Sequence, residues 1–166
     1  MNMPKMIEYD GRKIAKRPSQ YDQEVLEEVF DYLKPSLKDY LQRWDESDVE
    51  SLRKHFLLIS STDGYDIASH MDMYARLGGS RELVDIFDNA PFRKVLSKHI
   101  QAWIDYFKIE PLFKIGDRVR WFGLGGKIVR TSDSYMPGYY AVAAPGTKDN
   151  VYHLIPWEEC ELVESE

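Results

Sequence analysis

Hydrophobic and polar positions alternate with a period of two on either side of Asp10-Gly11, near the start of the chain. Asp-Gly favours a two-residue type I′ turn, so the alternation predicts a β-hairpin. Such a turn fixes three cross-strand pairs, namely Tyr9 with Arg12, Glu8 with Lys13 and Ile7 with Ile14. One pair carries opposite charges and one is apolar, which supports the register. Because an isolated hairpin is marginal in water, we expect it to pack on another part of the chain.

Apolar residues recur with helical spacing between Ser19 and Phe107. This spacing predicts five or six short helices packed as one bundle. Ser19 is the predicted N-cap of the first helix, and Pro35 is predicted to end or restart it. The apolar stripe of that helix consists of Tyr21, Val25, Leu26, Val29, Phe30 and Leu33.

Local signals place the later helix boundaries. Ser47-Asp48-Val49-Glu50 has the pattern of a capping box, and Asp63 stands where another N-cap is expected. Gly78-Gly79 is predicted to stop that helix in the left-handed conformation. A short helix follows near 81–88, and Pro91 suits the start of the last one.

Beyond Pro111 the residues become β-branched, aromatic and rich in glycine, which is typical of strands and turns. The predicted strands lie near residues 113–122, 126–131, 139–144, 151–155 and 160–163. Gly123-Leu124-Gly125-Gly126 is predicted to be a turn. Short strands at this spacing suggest a small antiparallel barrel. The predicted fold class is therefore α+β, with a hairpin and helical bundle over residues 1–108 and the barrel over 111–166.

Four segments of the C-terminal third follow one another in a characteristic order. They are Phe113-Lys114-Ile115-Gly116-Asp117-Arg118-Val119, Gly126-Lys127-Ile128-Val129, Tyr139-Tyr140-Ala141-Val142 and the stretch from Trp157 to Val163. This succession resembles the SH3-like small β-barrel superfamily, which includes KOW and Tudor-type modules. The resemblance implies an SH3-like barrel that binds peptides, modified side chains or nucleic acid through aromatic residues and adjacent loops. The helical part resembles no family that we can name.

Aromatic residues are therefore the first candidates for binding a partner protein. The candidates on the predicted barrel face are Trp121, Phe122, Tyr139, Tyr140 and Trp157, with Tyr135 and Tyr152 nearby. Alternate side chains of a strand point to opposite faces, so one of Trp121 and Phe122, and one of Tyr139 and Tyr140, can point inward. The outward members either cover the helical part or bind a partner.

Charge adds a second candidate surface. The chain of 166 residues carries 22 basic and 28 acidic side chains, and the excess of acid lies in the helical part. Glu24, Glu27, Glu28 and Asp31 recur at i, i+3, i+4 and i+7, which draws a carboxylate stripe along the first helix. The stripe is either an ordinary solvated face or a surface that occupies the basic nucleic-acid channel of a target protein.

A local basic group offers the nucleic-acid alternative. It consists of Lys114, Arg118, Arg120, Lys127 and Arg130, on the first two predicted strands of the C-terminal part. Nucleic acid is nevertheless disfavoured as a partner, because this part of the chain is slightly acidic as a whole and the patch would act alone.

The sequence does not combine a nucleophile, a base and an orienting group, so we expect no enzymatic activity and no cofactor. Asp63, Asp66 and His70 have the spacing of one helix face and could hold a divalent metal, which keeps a metal-dependent enzyme as an alternative. Cys160 lies beside Glu159 and Glu161, whose carboxylates disfavour a reactive thiolate.

The remaining features bound the class of protein. Charges occupy the N-terminal segment where a secretory signal needs an apolar run, and no stretch approaches the ~18 apolar residues of a membrane span. We therefore expect a cytoplasmic, non-enzymatic accessory or regulatory protein that binds another protein. The size and style of the chain are typical of accessory proteins of bacteria or bacteriophages.

Overall fold

The computed structural model describes residues 5–42, 45–132, 136–147 and 151–163. Within these ranges the chain is α+β, as predicted. Its contacts divide it into two compact units. The helical unit is Pro18–Leu96, and the sheet unit combines Met1–Arg17 with Ser97–Glu166. The division predicted from the sequence, into residues 1–108 and 111–166, is a division into domains. It stays a prediction, because the two compact units describe where contacts are dense and not where domains end.

The N-terminal hairpin consists of β1 (Met6–Tyr9) and β2 (Arg12–Ala15). Its register matches the three predicted pairs, because Asp10 and Gly11 both adopt the left-handed backbone that a two-residue turn requires. The hairpin packs on later parts of its own unit, as expected. The Tyr9 hydroxyl donates to the Glu110 carbonyl at 2.7 Å, and the Trp103 indole N–H donates to the Ala15 carbonyl at 2.8 Å.

Five helices lie in the described ranges, in agreement with the sequence. They are α1 (Gln23–Tyr40), α2 (Glu46–Phe56), α3 (Gly64–Ala75), α4 (Arg81–Asp88) and α5 (Phe92–Phe107). The residues of α5 from Ser97 onward belong to the unit that holds the hairpin. The centre of the helical unit is the fully buried Phe56 ring, whose neighbours Phe30, Phe87 and Phe92 lie 5.5, 6.1 and 6.1 Å away between ring centres.

The start of α1 differs from the prediction. Asp22, not Ser19, occupies the N-cap position, and Ser19 instead donates its hydroxyl to the Asp22 carboxylate at 2.9 Å. Tyr21, which was predicted to lie on the apolar stripe, is exposed ahead of the helix. The Ser-Asp hydrogen bond forms a local turn, and this turn delays the first helical residue to Gln23.

Pro35 also behaves differently from the prediction, because α1 continues through it to Tyr40. Proline removes one intrahelical hydrogen bond and usually ends or kinks a helix. Here Leu33 and Leu37, on either side of the proline, are both buried. Tertiary packing of this apolar face sustains the helix across the missing bond.

The capping box of α2 begins at Asp45, two positions earlier than predicted. The Asp45 side chain accepts from the Ser47 and Asp48 N–H groups, and Asp48 accepts from the Asp45 N–H in return. The predicted box at Ser47 to Glu50 is therefore wrong in position. Aspartate serves as an N-cap as well as serine does, and the earlier cap lengthens the helix by two residues.

The limits of α3 are predicted correctly at one end only. Asp63 is its N-cap, accepting from the N–H groups of Tyr65 and Asp66, as expected. The helix ends at Arg76, which adopts the left-handed conformation, before the predicted Gly78-Gly79 stop. The Asp72 carboxylate accepts the Gly78 N–H at 2.7 Å and fixes the chain after this early end.

The C-terminal strands form one antiparallel sheet with the order β6-β5-β4-β3-β7. The strands are β3 (Arg118–Trp121), β4 (Leu124–Arg130), β5 (Tyr139–Ala143), β6 (His153–Pro156) and β7 (Glu161–Leu162), with a short 3-10 turn at Trp157–Glu159. The five predicted strands are confirmed within the described ranges, although β3 starts at Arg118 rather than near 113. In that part of the chain, the strand order has β6 at one end and β7 at the other, so the sheet is not seen to close into a barrel.

Turn residues within the glycine run are fewer than predicted. Phe122 and Gly123 alone connect β3 to β4, since Trp121 already pairs with Leu124. Leu124, Gly125 and Gly126 belong to β4 instead.

Among the described helices, none has both the length and the apolar character to span a membrane.

Candidate functional site

Most of the predicted aromatic face is buried. Trp121, Tyr140 and Trp157 lie in the interior of the sheet unit, Tyr139 is half-buried, and Phe122 is 88% exposed. The predicted alternation within each neighbouring pair is confirmed. Trp121 and Trp157 are buried because they supply apolar core that a small sheet needs. Partner binding by the predicted aromatic set stays a prediction.

Hydrogen bonds hold the two innermost rings in place. The Tyr140 hydroxyl accepts the Phe113 N–H at 2.9 Å, and the Trp157 indole N–H donates to the Thr131 carbonyl at 3.0 Å. Burial raises the pKa of Tyr140 above its ordinary value. These side chains satisfy their polar atoms inside the unit, which is the behaviour of structural residues.

Tyr139 belongs to a cluster around the buried Arg17. The Arg17 guanidinium carbon lies 4.6 Å from the Tyr139 ring centre and 5.1 Å from that of Trp103. Its nitrogens bond both carboxylate oxygens of Glu158, at 2.6 and 2.7 Å, and the Gly138 carbonyl at 2.6 Å. The cluster ties the end of the hairpin to the turn before β5 and to the 3-10 turn. Arg17 and Glu158 are 141 residues apart in the sequence. No local sequence pattern could therefore predict the cluster.

The acidic stripe of α1 carries its own local partners. Glu24 and Asp31 are exposed, whereas Glu27 and Glu28 are half-buried. The Arg53 guanidinium donates to Asp31 at 3.1 Å, and the Gln23 amide donates to Glu27 at 2.9 Å. These contacts relieve part of the repulsion expected along the stripe. Partner binding by the stripe stays a prediction.

The three predicted metal ligands make hydrogen bonds within the helical unit. Asp63 caps α3, Asp66 accepts a hydrogen bond from the Ser61 hydroxyl at 2.8 Å, and the His70 Nε2 atom lies 3.1 Å from the His55 carbonyl oxygen. Within the described ranges no three His, Cys, Asp or Glu side chains are grouped to hold a metal ion.

Cys160 lies buried beside the 3-10 turn. Burial, reinforced by the charges of Glu159 and Glu158, raises the pKa of its thiol to about 12. At neutral pH the thiol therefore keeps its proton, which is the opposite of an activated cysteine.

A basic groove of about 850 Å³ lies along the sheet unit. Its charged lining residues are Arg118 on β3 and Lys127 and Arg130 on β4. None of the described residues that line it is acidic, although the whole chain carries an excess of six acidic side chains. The groove is thus positively charged, although the net charge of the protein is negative.

The register of β3 and β4 brings two of these positive charges together. Arg118 and Lys127 are both exposed and stand directly opposite each other in the β3–β4 ladder. Like charges in this position destabilise a sheet unless a third group relieves them. In the part of the chain that the structure describes, no salt bridge reaches either side chain. The neighbouring Arg120, by contrast, pairs with Glu161 at 2.9 Å.

Small and apolar residues complete the lining of the groove. The lining residues that have no side chain or a single methyl group are Gly125, Gly126, Ala143, Ala144 and Gly146. The larger apolar lining residues are Ile115, Val119, Ile128, Val129, Pro145 and Val163. A β-bulge lies between Ile128 and Arg130 on β4. The groove therefore combines cationic side chains with small and apolar residues.

The sequence identified part of this groove. Arg118, Lys127 and Arg130 belong to the basic group predicted on the first two strands, whereas Lys114 and Arg120 do not line the groove. The small and apolar lining residues were missed, because bringing them together requires the register of three strands. Glycine-rich composition after residue 122 was the available signal.

The tip of the β3–β4 hairpin adds an exposed aromatic side chain. Phe122 adopts the left-handed backbone conformation, with φ +42°, and Gly123 follows with φ +80°. A bulky residue rarely takes this conformation, and such strain is concentrated at functional positions. Among the described members of the predicted aromatic set Phe122 is the most exposed, whereas Tyr135 lies outside the described residues.

Family models, curated proteins and solved structures were compared with the chain, and none matched. The chemistry of the basic groove and of the hairpin beside it is thus the basis for assigning a function.

Proposed function

We propose that this chain is a non-enzymatic accessory or regulatory protein that binds an acidic, extended segment of a partner protein in the basic groove. The observation that supports it is the pair of Arg118 and Lys127, which stand opposite each other in the lining of the groove and which no salt bridge between described residues reaches. We further propose that the five-stranded sheet belongs to an SH3-like small barrel, for which peptide binding is a common use.

An extended acidic peptide fits the groove in charge and in shape. Its carboxylates would neutralise Arg118 and Lys127, and charge-assisted hydrogen bonds of this kind are the stronger ones. Its alternate side chains would point toward and away from the sheet, so apolar residues in the segment could contact Ile115 and Val163. A positive groove on an acidic protein would also orient an acidic partner during encounter.

Nucleic acid fits the same groove less well. Binding of single strands relies on aromatic side chains that stack on bases, and no aromatic residue is among the described lining residues. The net charge of −6 also opposes a polyanion of high charge density.

The test is a selection from a random dodecapeptide library displayed on phage, with the full chain immobilised. We expect the enriched peptides to be rich in Asp and Glu. The variant R118E/K127E should lose them, whereas the control K54E/R93E should retain them. The control makes the same change in net charge at two exposed residues of the helical unit.

Two results would overturn the proposal. One is the absence of acid-rich peptides on the wild-type chain, and the other is their retention by R118E/K127E. A labelled 20-nucleotide DNA strand, titrated in the same buffer at several salt concentrations, completes the test. If the DNA binds with a steep salt dependence and acidic peptides do not, the groove is a nucleic-acid site instead.

A further inference from the structure

Gly125 on β4 is a glycine that the fold itself does not require. Its backbone is not in the left-handed region, and a β-carbon built on it meets only the Val119 carbonyl oxygen, at 3.9 Å, an ordinary contact distance. Gly126 is different, because its β-carbon would lie 2.5 Å from the Ala143 carbonyl oxygen and 2.6 Å from a Val142 methyl group. Close packing against β5 therefore explains Gly126 but not Gly125.

Glycine within a strand carries a cost for folding. It has no side chain to pack, and it loses more conformational freedom on folding than any other residue. An exposed strand position normally favours β-branched or aromatic residues. A glycine that the fold tolerates but does not need often marks a place where another backbone approaches closely.

The location of Gly125 fits such an approach. It is exposed, it lines the basic groove, and it stands opposite Arg120 in the β3–β4 ladder. The outward-facing neighbours on these two strands are long cationic side chains, at Arg118, Arg120 and Lys127. Gly125 therefore leaves a gap between them that exposes the backbone of β4.

We infer that Gly125 determines the specificity of the groove, because its bare backbone admits the main chain of an acidic segment between the cationic side chains. This inference rests on the proposed function. A segment seated on Gly125 lies close enough for its carboxylates to reach Arg118 and Lys127. A β-branched side chain at position 125 would lift the segment away from both.

The experiment compares the variants G125A and G125V with the wild-type chain in two measurements. Thermal unfolding should show an equal or higher Tm for both variants, since a β-carbon at position 125 meets a single atom at an ordinary contact distance and strands favour β-branched residues over glycine. Selection from the same dodecapeptide library should enrich acid-rich peptides less on G125A and hardly at all on G125V. For an acidic peptide enriched on the wild-type chain, we expect G125V to weaken binding by at least about tenfold.

The matched control is G79A. Gly79 also has no left-handed backbone and no atom near a built β-carbon, but it lies outside the groove, in the helical unit. It should leave peptide enrichment unchanged.

The outcomes separate this inference from the proposed function. If the wild-type chain enriches acidic peptides and G125V does so equally, Gly125 has no such role and the proposed function stands. If G125V lowers the Tm, the glycine serves the fold and the inference is wrong. If the wild-type chain enriches no acidic peptides, both fail.

Discussion

Replacing Glu158 with Gln removes the negative charge that faces the buried Arg17. The side chains of Arg17 and Glu158 are 7% and 12% exposed, and the guanidinium bonds both carboxylate oxygens. Glutamine has nearly the same shape but offers one acceptor oxygen where the carboxylate offers two. The substitution therefore leaves a cation in the interior with one hydrogen bond fewer and no opposite charge.

The structure limits the size of the effect. Removing one partner of a buried ion pair costs about 3–5 kcal/mol when the remaining charge is uncompensated. Arg17 retains the carbonyls of Gly138 and Pro137, at 2.6 and 3.3 Å, and the faces of two aromatic rings. We therefore expect E158Q to lower the free energy of unfolding by about 2–3 kcal/mol, below the full cost of an unpaired charge.

Urea denaturation at pH 7 measures this loss as a shift of the midpoint at constant slope. The matched control is E161Q, because Glu161 pairs with Arg120 at 2.9 Å while both side chains are more than 60% exposed. An exposed pair of this kind contributes less than about 1 kcal/mol. If E158Q proves no more destabilising than E161Q, the buried pair does not hold the end of the hairpin to the 3-10 turn.

Three further predictions concern single residues. F122N should stabilise the chain by about 1 kcal/mol, because Asn-Gly suits the left-handed turn that Phe122 now occupies, and an unchanged or lower Tm would contradict this. With its pKa raised to about 12 from an ordinary 9.0, the Cys160 thiol should react with Ellman's reagent at pH 8 far more slowly in native than in urea-unfolded protein. As pH rises, the Cys160 thiol loses its proton in the unfolded state before it does so in the folded state. The free energy of unfolding should therefore fall between about pH 9 and pH 12, and it should fall less in C160A. D63A should cost about 1 kcal/mol in urea denaturation through loss of the α3 cap, and an unchanged midpoint would contradict the cap.

Local patterns predicted those elements whose geometry is local. The hairpin register follows from a two-residue turn, which fixes every pair along both strands. Prediction failed where distant packing competes with a local signal. Pro35 should interrupt α1, but the buried faces around it sustain the helix, and two capping patterns compete at the start of α2 with only one formed.

The candidate site shows the same division. Strand alternation predicted that the two members of each aromatic pair would differ in burial, but not which member would be inside. The basic side chains of the groove could be named in advance, since they are close in sequence. The small and apolar residues of the lining could not, because their place beside the basic side chains depends on the register of β3, β4 and β5 and on the bulge in β4.

The discontinuous unit formed by the hairpin and the C-terminal residues has a consequence for synthesis on the ribosome. The hairpin is synthesised before its partners, because Trp103 follows Ala15 by 88 residues and Glu158 follows Arg17 by 141. Residues 18–96, which form the other compact unit, are synthesised in between. The nascent hairpin must therefore wait for these partners, and slow translation would prolong the time in which its apolar face is open to chaperones or to aggregation.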